Sequence, residues 1–247
     1  MLLAKKVAVI TGCNRGIGKS ILQEFSKNGA NLFACVRNID EEFKLLVNKT
    51  EKEYKNKIIP IEIDLSNEKS VKNAGNNILS HKLDIDILVN NAGSIFTSLF
   101  QMTSINKYKE LFDINFFSQI LFTQLILKSM IKKKRGKIVF ISSNSGIDGN
   151  EGRGAYASTK AAIIGQAKVL SRELGRFNIE VNTVAPGLTN TDMMRDNTKN
   201  DVIEEVIKQT SLKRVGNPDE IANVTLFLSS YLSDYITGQV IRVDGGM

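Results

Sequence analysis

The feature that most constrains this chain is a turn of three glycines between a strand pattern and a helical pattern. Residues 6–11 form a short apolar run, Gly12, Gly16 and Gly18 follow it, and helical periodicity continues over residues 21–25. Glycine is needed where backbone must approach a phosphate closely, and a helix N-terminus adds N–H donors and a positive dipole end. The turn therefore predicts a buried strand, a dinucleotide-binding loop and a helix, in that order.

The rest of the chain continues this alternation. Strand patterns and helical patterns follow one another from end to end, which is typical of α/β folds with a parallel sheet. The 247 residues fit one domain, and a hydrophobic content of 42% is ordinary for a globular protein. No internal repeat, low-complexity tract or Pro/Gly-rich linker indicates a second domain.

A second group of residues predicts acid–base chemistry. Tyr156 and Lys160 are four residues apart in a helical pattern, so they share one helix face. The pKa of a free tyrosine is about 10, and a nearby ammonium lowers it toward the range where proton transfer is efficient. Ser143 follows the apolar run 137–141 and offers a hydroxyl to a substrate carbonyl, a role for which Ser142 competes.

The end of the second strand pattern bears on the choice of cofactor. Residues 30–36 end at Val36, where an NAD-binding chain usually places a carboxylate for the ribose 2′-hydroxyl. Arg37 follows, no acid occurs before Asp40, and Arg15 in the glycine turn adds a second cation. Guanidinium groups suit a 2′-phosphate, so the sequence predicts NADP(H). The alternative is that Arg37 is a solvated loop residue.

These features, with Asn-Asn-Ala-Gly at residues 90–93, resemble the short-chain dehydrogenase/reductase family from Val7 to the C-terminus. The glycine spacing, Gly-x-x-x-Gly-x-Gly, is the form that this family uses. The resemblance implies a single-domain Rossmann fold over residues 1–247, with a doubly wound parallel sheet of about seven strands and helices on both faces. It also implies a homotetramer, and a cytoplasmic location is expected.

The resemblance implies a role for each candidate catalytic residue. Its spacing selects Ser143 rather than Ser142 to orient the substrate oxygen, and Tyr156 to donate the proton. Lys160 would lower the pKa of Tyr156 and bond the nicotinamide ribose. Asn115 would hold a water that links the lysine to solvent.

The cofactor is expected to contact the glycine turn and the loops that follow the other strands. Residues 190–200 are expected to form a mobile lid over the substrate. The predicted cofactor-binding residues are Gly12, Asn14, Arg15, Gly16, Ile17, Gly18, Arg37, Asp64, Leu65, Asn91, Ala92, Gly93, Tyr156, Lys160, Pro186, Gly187, Thr189 and Thr191.

The segment before the tyrosine narrows the substrate class. Residues 149–156 resemble the family members that reduce 3-oxoacyl thioesters of acyl carrier protein, except that Arg153 replaces their glutamine. The function expected is NADPH-dependent reduction of such a ketone to a secondary alcohol. One alternative is a sugar-like or other small secondary alcohol as substrate. Another is a non-catalytic NADP(H)-binding interaction protein, which an intact catalytic set argues against.

The net charge of +7 has two interpretations. The simple one is a lysine-rich surface. The other is that two basic clusters, around 128–135 and around Arg172 and Arg176, receive an acidic acyl carrier protein, as arginines at these places do in the resembling reductases. A nucleic-acid partner is not expected, since no reading helix or stacking platform is evident.

Three further classes of function are not expected. Cys13, Cys35 and the lone His81 have no metal-ligand spacing, so no metal site is predicted. Both cysteines are expected to be small packing residues. No apolar run is expected to reach membrane-spanning length, and the start of the chain leaves no room for a signal peptide.

Overall fold

The computed structural model describes all of residues 1–247 and contains one sheet of seven strands. Every neighbouring pair of strands is parallel. The strands are β1 (Val7–Thr11), β2 (Asn31–Val36), β3 (Ile58–Glu62), β4 (Ile87–Asn90), β5 (Gly136–Ile141), β6 (Ile179–Pro186) and β7 (Val240–Val243). Their order across the sheet is β3-β2-β1-β4-β5-β6-β7, so the direction of winding reverses between β1 and β4.

Helices connect the strands. A π-helical turn at Asp113–Phe117 joins the fourth helix to the fifth. The helices are α1 (Gly16–Lys27), α2 (Glu41–Tyr54), α3 (Glu68–Ser80), α4 (Ile105–Phe112), α5 (Ser118–Lys133), α6 (Ser145–Asp148), α7 (Gly154–Leu174), α8 (Asp192–Asn197), α9 (Asn200–Gln209) and α10 (Pro218–Ser229).

Both faces of the sheet are covered by apolar helix faces. One core of 23 buried residues packs α1, α2 and α10 on the sheet and includes Phe25 of α1. The other core, of 22 residues, packs α3, α5 and α7 on the opposite face and includes Phe122 and Phe140. The two cores are almost equal in size, so the prediction of a doubly wound Rossmann fold with seven strands is confirmed.

The stretch Ile105–Lys133, which includes α4 and α5, corrects one expectation. By length and composition alone it is apolar enough to cross a membrane, so the expectation that no run reaches that length was wrong. Its inner side carries Phe122, Ile126 and Met130, which are fully buried in the core against the sheet. Core helices meet the same criteria, and we therefore regard this stretch as a core helix.

Candidate active site

A cavity of about 630 Å³ opens at the carboxyl ends of the strands, beside the reversal between β1 and β4. Ligands of open α/β sheets bind in this crevice. Among the predicted site residues, Asp64 and Asn115 do not line the cavity. Those that do are Gly12, Asn14, Arg15, Gly16, Ile17, Gly18, Arg37, Leu65, Asn91, Ala92, Gly93, Ser143, Tyr156, Lys160, Pro186, Gly187, Thr189 and Thr191.

The glycine turn leaves the start of α1 open to an anion. Gly12 has φ +76°, and a Cβ on Gly18 would overlap the Gly12 carbonyl oxygen, so the turn is too tight for a side chain at Gly18. Arg15 stands at the N-cap but makes no side-chain bond to the first-turn N–H groups, and no acidic residue lies in that turn. In contrast, Asp40 caps α2. The uncapped N–H donors therefore fit a dinucleotide pyrophosphate.

The far end of the cavity carries the two predicted cations. Arg15 and Arg37 both line it. The Nε of Arg37 lies 3.7 Å from Oδ1 of Asp64, so a carboxylate does reach this corner, from the loop after β3. Hydrogen bonds from Ser66 lower the pKa of Asp64, and the Arg37 charge adds to this effect. Both side chains of the pair are substantially exposed, which makes the pairing weak.

Asn91 ties the loop after β4 to the glycine turn. Its Nδ2 donates to the Thr11 carbonyl oxygen at 2.9 Å. In return, the Thr11 hydroxyl oxygen accepts from the backbone N–H groups of Asn91 and Ala92, both at 3.0 Å. These bonds hold the two loops as one rigid wall of the cavity.

Ser143, Tyr156 and Lys160 meet at the other end of the cavity. Ser143 follows β5 by two residues, while Tyr156 and Lys160 lie on the first turns of α7. The Nζ of Lys160 is 5.7 Å from the Tyr156 ring centroid and donates to the Ile141 carbonyl oxygen at 2.8 Å. Ser142 donates its hydroxyl to the Lys160 carbonyl oxygen at 2.8 Å. The Ser143 hydroxyl donates to Asn144 Oδ1 at 3.3 Å and accepts from the Ser145 N–H at 3.1 Å.

Burial dominates the electrostatics of this group. Burial raises the pKa of Tyr156, while the Ser143 hydroxyl and the Arg153 charge oppose that rise. Burial also lowers the pKa of Lys160 to about 8. Burial thus outweighs the opposing effects of Ser143 and Arg153 on Tyr156, and the expectation that Lys160 lowers the pKa of Tyr156 stays a prediction.

Asn115 lies behind the cavity wall in the π-helical turn. It is fully buried, and its Oδ1 accepts from the backbone N–H of Ser94 at 2.7 Å. Its Nδ2 donates to the Ser94 carbonyl oxygen at 2.8 Å and to the Thr159 hydroxyl at 3.1 Å. A Cβ on Gly93 would lie 3.0 Å from Asn115 Oδ1 and 3.7 Å from Lys160 Nζ. Asn115 and Lys160 are therefore neighbours across a glycine.

Comparison with known proteins agrees with this geometry. A family model described as Enoyl-(Acyl carrier protein) reductase matches residues 12–247. A curated relative, 3-oxoacyl-[acyl-carrier-protein] reductase FabG of Aquifex aeolicus, is 40% identical over 99% of this chain and 98% of its own length. The chain belongs to the short-chain dehydrogenase/reductase family.

Solved structures are similar over the whole chain. A protein assigned as a gluconate dehydrogenase from Agrobacterium tumefaciens superposes with a TM-score of 0.94 at 28% identity, over 99% of this chain and 96% of that one. A blue fluorescent protein from a metagenomic library, solved in complex with NADPH, gives 0.92 at 28% identity, over 100% and 99%. The predicted family and fold are confirmed.

Several cavity residues escaped the sequence prediction. Arg153 was noted only as a departure from the family pattern, yet its Nη2 donates to the Asn197 carbonyl oxygen and to the Thr198 hydroxyl, both at 3.0 Å. The others come from the loops after β2, β4 and β5, from the segment before α7, from the helices α8 and α9 and from the chain end. They include Asn38, Ser94, Ile95, Asn144, Asn150, Glu151, Met193, Met194, Asp196, Val202, Val206 and Met247.

The two basic clusters lie away from this cavity. Arg135 precedes β5 at the amino edge of the sheet, where it pairs with Asp86 at 3.3 Å. Arg172 lies on the last turn of α7, about 24 Å from Tyr156 along the helix axis. One cluster therefore precedes the strand that leads to Ser143 and the other lies on the helix that carries Tyr156, as expected, but both lie far from the cavity of the same chain.

Proposed function

We propose that this member of the family is an NADPH-dependent oxidoreductase that reduces the ketone of a 3-oxoacyl thioester to a secondary alcohol in the cytoplasm. The observation that carries the proposal is that one cavity holds an uncapped glycine turn at one end and Ser143, Tyr156 and Lys160 at the other. The glycine turn suits the binding of a pyrophosphate. The Ser143, Tyr156 and Lys160 group suits a carbonyl that gains a proton.

The cofactor proposed is NADP(H). The open N–H groups at Gly16–Gly18 would hold the pyrophosphate, and Arg15 and Arg37 would face the 2′-phosphate, for which Arg37 would exchange the weak contact with Asp64. The solved relative in complex with NADPH supports this choice. When bound, the cofactor supplies the hydride.

Residues of this chain are proposed to bind and protonate the substrate oxygen. Tyr156 is proposed to give its hydroxyl proton to that oxygen as the alcohol forms, and Ser143 to orient the oxygen by hydrogen bonding. Lys160 is buried beside both and is proposed to bond the nicotinamide ribose. Asn115 is proposed to link Lys160 to solvent across Gly93.

Ketone reduction is favoured over enoyl reduction, although the matching family model is described by the latter activity. Two hydroxyl side chains converge at one end of the cavity, and a carbonyl oxygen is the group that accepts from both. The curated relative reported above is also a 3-oxoacyl reductase. A carbon–carbon double bond offers no oxygen at the reacting centre.

A finer proposal concerns the form in which the substrate arrives. Arg172 and Arg176 are exposed at one end of α7 and form no ion pair, so they suit an acidic acyl carrier protein. Because they lie far from the cavity of their own chain, a carrier docked there would serve a neighbouring copy. Exposed apolar side chains on and before α4 and α5, Phe100, Ile105 and Phe117, support the pairing of copies in a homotetramer.

Charge reversal tests the carrier proposal. Arg172→Glu should raise KM for the carrier-bound substrate and leave kcat unchanged, the pattern of lost uniform binding. The effect should fade as salt rises, since exposed charges are screened over about 8 Å at physiological ionic strength. The acetoacetyl thioester of N-acetylcysteamine is the control substrate. Unchanged carrier kinetics would contradict the carrier proposal alone.

Substrate choice tests the proposed function itself. NADPH oxidation should be measured with acetoacetyl thioesters, keto-sugars and cyclic ketones. We expect the thioesters to give the highest kcat/KM. The second candidate, a sugar-like secondary alcohol, is favoured by the likeness to a protein assigned as a gluconate dehydrogenase. A clear preference for keto-sugars would replace the first proposal by the second.

A further inference from the structure

Arg153 is a half-buried cation without a counter-ion. No carboxylate lies within ion-pair distance of its guanidinium, although other arginines such as Arg195, Arg214 and Arg242 have such partners. Its Nη2 donates only to neutral acceptors at Asn197 and Thr198. Its Nη1 is buried and has no partner at all. An uncompensated charge in such a place is costly, so its surroundings should favour a compensating anion.

The groups around this guanidinium leave one candidate for that anion. Arg153 immediately precedes α7 as its N-cap residue, and Tyr156 follows three residues later in the first turn. Both line the cavity. The charges of the two groups also affect each other: Tyr156 raises the pKa of Arg153 against its burial, and Arg153 lowers the pKa of Tyr156 against its burial.

The other charged and titratable groups near Tyr156 are differently engaged. On α7, Lys160 donates to the Ile141 carbonyl. Asp192 of α8 pairs with Arg195. Glu151 and Asp196 are exposed at the rim. From α4, the hydroxyl of Tyr108 lies beside Gly154. Among these groups Lys160 is the other cation near Tyr156, with its Nζ 5.7 Å from the ring centroid. Arg153 differs from it in having a buried Nη1 that lacks any hydrogen-bond partner.

We propose that Arg153 is the positioning residue whose charge stabilises the phenolate of Tyr156, and that its bonds to Asn197 and Thr198 place this charge when the α8 segment packs over the cavity. This inference rests on the proposed oxidoreductase function. The guanidinium and the phenolate become each other's counter-ions when Tyr156 has given up its proton. Arg153 thus adds a second positive charge beside Tyr156 to that of Lys160.

The test is the pH profile of the reverse reaction, in which Tyr156 must be deprotonated to act as a base. Oxidation of a 3-hydroxybutyryl thioester by NADP⁺ should rise with pH through the Tyr156 titration. Arg153→Gln removes the charge, so the midpoint should move to higher pH and the rate at neutral pH should fall about fivefold. Arg153→Lys keeps the positive charge, so most of the wild-type rate at neutral pH should be retained. Lys168→Gln removes an exposed charge from the same helix and should change nothing.

A cofactor-free readout separates this inference from the proposed function. With five tyrosines and no tryptophan, tyrosinate absorbance can be titrated, and subtraction of the Tyr156→Phe variant isolates one residue. Its midpoint should rise in Arg153→Gln. An unmoved midpoint in both assays, or an equal shift in Arg153→Lys, overturns the charge role. If no thioester or ketone is turned over but the absorbance midpoint still moves, the proposed function fails and the charge role stands.

Discussion

The amino and carboxyl edges of the sheet differ in whether their charged groups have partners. At the amino edge, the buried carboxylate of Asp86 accepts from the Val7 N–H at 3.0 Å and pairs with Lys133 at 3.1 Å and Arg135 at 3.3 Å. At the carboxyl edge, the first turn of α1 is uncapped and the Arg153 guanidinium has no anion. At the amino edge the protein itself supplies partners for the buried charge. At the carboxyl edge, hydrogen-bond donors and a positive charge remain without partners.

This difference separates stability from function. Fully paired buried groups contribute to holding a fold together, and their loss is felt in the free energy of unfolding. Unpaired donors beside a cavity cost stability unless a ligand satisfies them, which is why they accumulate at binding sites. Substitutions at the carboxyl edge should therefore change kinetics, and substitutions at the amino edge should change stability.

The largest effect expected is at Tyr156. Tyr156→Phe removes the proposed proton donor and little else, so kcat should fall about a thousandfold while NADPH binding survives. Steady-state kinetics together with NADPH fluorescence titration checks both parts. Turnover near that of the wild type would show that Tyr156 is not the acid.

Lys160 should affect both kinetics and the pH dependence of stability. Lys160→Met should lower turnover and NADPH affinity together. The unfolded chain keeps the lysine proton to about 10.5, whereas the folded chain releases it at about 8. Between these values the unfolded state binds more protons, so the free energy of unfolding should rise with pH by up to about 3 kcal/mol. Urea unfolding across this range should show the rise in the wild type and not in the variant.

Asp86 should show the converse behaviour. Asp86→Asn leaves Lys133 and Arg135 without their shared carboxylate, and the free energy of unfolding should fall by about 2 kcal/mol. KM and kcat of the folded enzyme should stay within about twofold of the wild type. Urea unfolding and steady-state kinetics on the same preparations measure the two quantities. A large kinetic defect in Asp86→Asn without loss of stability would contradict the claim that the amino edge serves stability and the carboxyl edge serves function.

The smallest of these effects concerns cofactor choice. Arg37→Asp removes one charge-assisted bond to the 2′-phosphate, worth roughly 1.5–3 kcal/mol, so kcat/KM for NADPH should fall about tenfold or more. Preference should move toward NADH, because a carboxylate suits a free ribose hydroxyl. Wild-type efficiency that is equal with both cofactors would contradict the assignment.

The sequence predicted the fold well because its signals were local. Strand 30–36 was placed within one residue of β2, since a buried parallel strand is a continuous apolar run between polar residues. The α1 helix and its glycine turn were equally clear. The stretch Ile105–Lys133 was misjudged, because its apolar residues are spread over two helices and a π-helical turn rather than one run.

The site was predicted only as far as local motifs reach. Tyr156 and Lys160 could be paired from helical spacing. The direction in which the pKa of Tyr156 shifts could not be predicted from this spacing, because the shift depends mainly on burial in the folded chain. The contact between Arg153 and Asn197 follows from chain topology and has no local signal. The mobility of residues 190–200 stays a prediction.

The contrast between the edges is tested most directly by amide hydrogen exchange with and without NADPH. A ligand that satisfies the carboxyl edge should slow exchange in the glycine turn at Gly12–Gly18, in the loop at Asn91–Gly93 and in α8. Exchange around Asp86 at the amino edge should stay unchanged. Protection that is absent from the glycine turn, or equal at both edges, would contradict the account.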